Sequence, residues 1–253
     1  MPTATLALDE AVDLARTGDI WLFRGRTPAD RAIQLATNSP VNHVGMAVVL
    51  GDLPPLMWHA ELGRSLPDVW SGRRQRGVQL HVLSDAVTTW ANRYGQRAWV
   101  RQLSPEVTAA MEDAVLRVIA RLDGTPFPST VGLASRWLTG RLPALRRPGR
   151  RSGRAAGREG EVGGAGEDAA DGEGGAGGRG AAALETAYCA EVLAVTYQAM
   201  GLLPGGRRPG WYDAGRFWSG DDLQLDGGYS LGGELAVRVP PGTVSARDIT
   251  NHH

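Results

Sequence analysis

Apolar and polar positions divide the chain into short apolar runs and a few stretches of helical period, set on either side of one long segment that has neither. Asp19–Phe23 (DIWLF), Val41–Leu50 (VNHVGMAVVL), Leu56–Leu62 (LMWHAEL), Val78–Leu83 and Arg97–Leu103 read as strands, with Gly51–Pro55 turning the chain between the second and third. Pro28–Thr37 reads as a helix, with Thr27 as its cap and Pro28 in the first helical position. Ser84 is the expected cap of a helix reaching Tyr94. Ser104-Pro105-Glu106 opens a longer one, with Val107, Met111, Val115, Val118 and Leu122 at helical spacing and Asp123-Gly124 as its stop. Further helices are expected over Thr130–Leu138 and Glu185–Met200. A turn-rich stretch then holds Trp211, Tyr212, Phe217 and Trp218, and Glu234–Val239 reads as a closing strand before Pro240-Pro241. Adjacent strands in blocks, with helices between the blocks, imply an α+β domain with antiparallel pairing rather than a regular βαβ array.

The patternless segment, Arg147–Leu184, has 13 glycines in 38 residues and no aromatic residue. It begins arginine-rich and turns acidic. Such a composition buries too little apolar surface to offset the entropy of ordering it, so it reads as a disordered insert. One domain is therefore expected in two pieces, residues 1–146 and 185–253, interrupted by 147–184.

Composition narrows the function. The chain has 27 basic and 27 acidic residues among 253, so no global field favours nucleic acid or anionic lipid. No run approaches a membrane span. The N-terminal stretch carries Asp9, Glu10 and Asp13 where a secretory signal would be apolar. A single cysteine excludes an intrachain disulfide. Together these make a cytoplasmic protein the expectation, and leave its oligomeric state unread. His252 and His253 end the chain, as native residues or the remnant of a tag, and carry no part of the argument.

Few residues remain that could carry chemistry. Cys189 falls near the start of the helix expected over Glu185–Met200, where the helix dipole and free backbone N–H groups favour thiolate and could hold an oxyanion. The alternative is a cysteine acting as a small buried hydrophobe. His43 stands at the head of an apolar strand, a costly place for an imidazole unless it has a partner, and suits a base for a nearby thiol. His59 follows on the next strand and could orient that base, with Glu61, two residues along the same face, as the alternate orienter. His81 alternates with Val78, Leu80 and Val82 and reads as solvent-facing. No CxxC or HExxH spacing, P-loop, GxGxxG or GxSxG occurs, so neither a metal nor a cofactor is expected.

Gly18-Asp19-Ile20, then Asn42-His43-Val44-Gly45-Met46, then a strand with a polar residue, and much later Tyr188-Cys189-Ala190-Glu191 opening a helix, resembles the circularly permuted branch of the papain-like NlpC/P60 superfamily. The YiiX-like and lecithin:retinol acyltransferase-like proteins belong to that branch. Its order is His, polar residue, Cys, as here. The resemblance covers about residues 18–62 and 185–218. It implies a small antiparallel sheet packed on the cysteine helix. It also implies a triad of Cys189, His43 and His59, and thiol attack on the acyl carbon of a small peptide, amide or lipid substrate through an acyl-enzyme. Hydrolysis and transfer to another acceptor stay open. Ala190 stands where the family commonly has Ser, and the long insert before the cysteine helix is a larger departure. A non-catalytic interaction module with the same fold is the alternative.

Overall fold

The computed structural model describes residues 5–26, 39–61, 65–126, 177–220 and 223–241. In chain order the elements are β1 (Thr5–Ala7), α1 (Leu8–Asp13), β2 (Ile20–Arg24), β3 (His43–Val48), β4 (Leu56–Glu61), β5 (Gly77–Val82), α2 (Leu83–Tyr94), β6 (Arg97–Arg101), β7 (Leu103–Ser104), α3 (Ala109–Leu122), α4 (Gly177–Ala199), two 3-10 turns (Pro209–Trp211 and Ala214–Phe217), β8 (Ser230–Leu231) and β9 (Leu235–Arg238). The helices expected over Pro28–Thr37 and Thr130–Leu138, and most of the 147–184 segment, lie outside the described residues.

Seven strands form one sheet in the order β1-β9-β6-β2-β3-β4-β5. Every neighbouring pair is antiparallel except β1 with β9, which is parallel. The class is therefore α+β, but the sheet is mixed and larger than the small antiparallel one expected. The extra breadth comes from the chain's two ends: β9 lies within the closing strand expected over Glu234–Val239, whereas β1, three residues long, is too short to stand out from the sequence pattern.

Both faces of the sheet are covered, because successive side chains on each strand point to opposite sides and each side meets helices. On one face Val44, Met46 and Val48 of β3, Leu56, Trp58 and Ala60 of β4, and Val78 and Leu80 of β5 pack with α3, α4 and the two 3-10 turns. On the other, Trp21 and Phe23 of β2, Ala47 of β3 and Met57 of β4 pack with α1 and α2. All six residues of β3 and of β4 are buried.

Helix ends depart from the sequence expectation in three places. The first residue of α2 is Leu83, preceded by Val82 with no side-chain cap, so Ser84 lies inside the helix. Thr108, rather than Ser104-Pro105-Glu106, caps α3, its hydroxyl accepting from the backbone N–H of Met111. Finally, α4 starts at Gly177 instead of Glu185. The run Ala181-Ala182-Ala183-Leu184 explains the extension, since these are strong helix formers.

The Gly18-Asp19 dipeptide is a structural joint. Gly18 has φ 97°, and a Cβ there would lie 2.7 Å from Leu103 Cδ2. The buried Asp19 carboxylate accepts from the backbone N–H of Arg16 at 2.9 Å and of Leu103 at 2.8 Å. The Tyr197 hydroxyl of α4 donates to the Gly18 carbonyl at 2.5 Å. Asp19→Ala strands two N–H groups around a cavity, and should lower stability by about 2–4 kcal/mol in urea titrations. A loss under about 0.5 kcal/mol would show that the joint is not structural.

Candidate functional site

Three strands and one helix build a polar cluster inside the α2 side of the sheet. His43 pairs directly across β2 with Phe23, and so faces α2. On β4 and β5 the register sets Met57 opposite His81, His59 opposite Gln79 and Glu61 opposite Gly77. His59, Glu61, Gln79 and His81 thus share one face, the one turned away from Trp58, Leu80 and α4. All four are buried, as is His43. The solvent-facing assignment of His81 is corrected here: β5 does alternate, but α2 packs against it and leaves it no water side.

Trp90 of α2 is the lid of this cluster. Its ring lies 4.8 Å from His43 and 4.8 Å from His59, centroid to centroid, at 75° and 72° respectively, and edge-on to Phe23 at 4.7 Å. The His43 and His59 rings are 5.3 Å apart, and His59 and His81 4.9 Å. His59 Nε2 sits 3.0 Å from His81 Nδ1, so one proton is shared between the two imidazoles. Glu61 accepts from the Ser65 hydroxyl at 3.0 Å and from the Trp90 indole N–H. His81 Nδ1 is 4.0 Å from Glu61 Oε2.

Burial sets the charge states. It pushes His43 down to about 3, with repulsion from His81 adding to the effect. It pushes His81 down to about 4, helped by Arg74 and opposed by Asp68 and the Leu66 backbone. His59 is held well below 6.5 by burial and then by its two histidine neighbours, against the Ala60 backbone. Glu61 moves the other way: burial raises it, while Ser65, Trp90 and Arg93 hold it down. The imidazoles are therefore neutral near pH 7, and the His81–Glu61 contact is not an ion pair there. Several polar atoms have no partner among the described residues: His43 Nε2, His59 Nδ1, His81 Nε2 and both amide atoms of Gln79.

Cys189 lies elsewhere. It is buried in the opposite cluster, with Val44, Met46 and Trp58, on the α4 side of the sheet. Helix α4 packs on β3 and β4, anchored where the Trp58 indole donates to Thr196 at 3.1 Å. The structure thus brings His43, His59 and Glu61 together and sets Cys189 behind the strands that carry them. Because α4 begins at Gly177, Cys189 is also in the helix interior rather than the first turn. There its N–H is committed to the helix ladder and is not a spare oxyanion donor.

Trp90, Gln79, His81 and Ser65 were not legible as site residues. Trp90 shares helical spacing with Ala86 and Val87, a pattern that signals only a buried face. His81 and Gln79 join the cluster through the β4–β5 register, which no linear motif records.

Gly45 has a role that its flexibility does not explain. It stands between His43 and Ala47 on the crowded face, where a Cβ would lie 2.3 Å from Met57 Sδ and 3.4 Å from His59 Cβ.

No family model and no curated protein matches the chain. Among solved structures it is similar to the metalloprotein yiiX from Escherichia coli O157:H7, DUF1105, at 23% identity and a TM-score of 0.34. The likeness covers 46% of this chain and 54% of that one, about half of each. It is too slight to support a statement about this chain.

Two outcomes follow from the packing and the charge states. Gly45→Ala should displace Met57 and cost about 1–3 kcal/mol in chemical denaturation; a neutral result would mean that the β3–β4 face has slack. Each histidine has a folded-state value below its ordinary one near 6.5, so the unfolded chain binds more protons in acid. The associated stability is complete above about pH 6.5 and is lost as pH falls toward about 4 and then 3. Urea midpoints should therefore drop steadily between pH 7 and pH 4, and His81→Gln should flatten that slope; equal slopes would remove His81 from the account.

Proposed function

We propose that the protein is an acyl-cleaving hydrolase whose acid–base centre is the buried cluster of His43, His59, His81 and Glu61. The observation that carries this reading is His43 itself: a neutral imidazole, capped by Trp90 and backed by His59, with a nitrogen that has no partner among the described residues. A burial this costly is typical of groups kept for proton transfer. The order His43, His59, Cys189 along the chain supports acyl chemistry, through the family resemblance.

Two nucleophiles are compatible with such a base. In the thiol version His43 takes the Cys189 proton, Cys189 attacks the acyl carbon, and His59 or Glu61 steadies the imidazole. That version requires the sulfur to reach the α2 side, because in the structure it lies on the α4 side. In the second version His43 takes a proton from water, which attacks directly and needs no such movement.

The test uses activated esters and anilides of short acyl chains and amino acids. His43→Ala should lower kcat/KM by roughly 10²–10⁴-fold on any substrate that is turned over. Cys189→Ala should abolish turnover in the thiol version and spare it in the water version. Full activity in His43→Ala, or no turnover of any substrate by folded wild-type protein, would sink the hydrolase reading in favour of a non-catalytic interaction module.

A further inference from the structure

His59, Glu61 and His81 converge from two adjacent strands, each offering a donor atom within 4.8 Å of the others: His81 Nδ1 lies 3.0 Å from His59 Nε2 and 4.0 Å from Glu61 Oε2. We infer that these three side chains form a binding site for one divalent transition-metal ion, zinc in particular. The inference deepens the hydrolase reading, since it concerns the same cluster.

Chemistry and geometry agree on the donor set. Two imidazoles and one carboxylate, with a further position open, is the ligand complement of a catalytic rather than a structural zinc. Tetrahedral zinc holds its nitrogen ligands roughly 3.3 Å apart. The two histidine nitrogens here are 3.0 Å apart, and the carboxylate oxygen lies 4.0 Å from one of them, so small side-chain rotations suffice.

Proton bookkeeping is equally simple. Without metal, one N–H is shared between His59 Nε2 and His81 Nδ1. Coordination needs a lone pair on each, so the protons sit instead on His59 Nδ1 and His81 Nε2. Those are the two ring nitrogens without a partner among the described residues. Both imidazoles stay neutral and nothing is oxidised.

The surroundings provide what a metal site needs next. Ser65 donates to Glu61 Oε2, the oxygen that faces His81, and the Trp90 indole steadies the same carboxylate. Gln79, buried directly opposite His59 on the same face with both amide atoms unpartnered among the described residues, is a polar group without other employment. A cation also supplies the positive charge that a buried carboxylate among neutral imidazoles lacks. His43, edge-on to His59 with ring centroids 5.3 Å apart, is the neighbouring imidazole that would take a proton from a water polarised by the metal.

The experiment measures metal directly and needs no substrate. The 253-residue protein with His252 and His253 replaced by Ala is stripped with chelator, then titrated with Zn²⁺ and separately with Co²⁺. One equivalent should bind, and Co²⁺ should show the intense visible absorption of a low-coordinate site. His81→Ala and the near-isosteric Glu61→Gln should each weaken binding on the order of 100-fold, and Ser65→Ala about tenfold, while Cys189→Ala leaves it unchanged. If His81→Ala does not fold, Glu61→Gln and Ser65→Ala carry the comparison. No stoichiometric binding by the wild type, or binding indifferent to Glu61→Gln and Ser65→Ala, overturns the inference. Metal bound without turnover would leave the site standing and sink only the hydrolase reading. Turnover by metal-free protein that binds no zinc would do the reverse.

Discussion

Trp90 determines what the α2 side of the sheet can be. A single indole, set by the helix that follows β5, covers His43 and His59, meets Phe23 edge-on and donates to Glu61. With the rest of α2 it shields a cluster of imidazole, carboxamide and carboxyl groups from bulk solvent. From that exclusion come the neutral histidines, the raised carboxyl and the proton shared between His59 and His81. In an open sheet the same residues would be solvated and ordinary. Here each must find its partner within the cluster or lack one, and several lack one.

The opposite face obeys another constraint. There Val44, Met46, Trp58 and Leu80 meet the apolar side of α4, and the Trp58–Thr196 hydrogen bond crosses that contact. Cys189 belongs to that layer by packing. A sheet one residue thick separates two chemically unlike interiors, and strand alternation alone assigns each residue to one of them. Thiol chemistry at His43 must therefore cross the sheet, whereas imidazole and carboxylate chemistry need not. The two interiors are tied at the Gly18-Asp19 joint, where one carboxylate satisfies two turns of backbone and Tyr197 pins α4 to the start of β2.

Much of the fold was legible because apolar period is a local property. The strands β2 to β6 and the helices α2 and α3 lie where the pattern puts them, within a few residues. Short elements were not legible: β1, α1 and β8 carry too few residues for a period to emerge. Nor were the caps, since a hydroxyl near a helix start is an option that the tertiary path takes at Thr108 and declines at Ser84. Of the candidate site, His43 was marked by a physical oddity, an imidazole on an apolar strand, and His59 and Glu61 by their place on the strand that follows. His81 escaped because an alternating strand looks half-solvated when nothing in the sequence says that a helix covers its other face.

By itself the sequence determined the class of the domain, the place of most of its strands, and that an imidazole at the head of β3 would be buried at a cost. Those follow from period and composition, which each segment carries alone. Which residues meet was decided only by tertiary structure. The β4–β5 register sets His59 opposite Gln79 and within reach of His81, while α2 brings Trp90 over them. The start of α4 at Gly177 and its docking on the far face place Cys189 away from His43. Proximity between strands depends on pairing and on which helix covers which side, and neither is written in the spacing of residues along one chain.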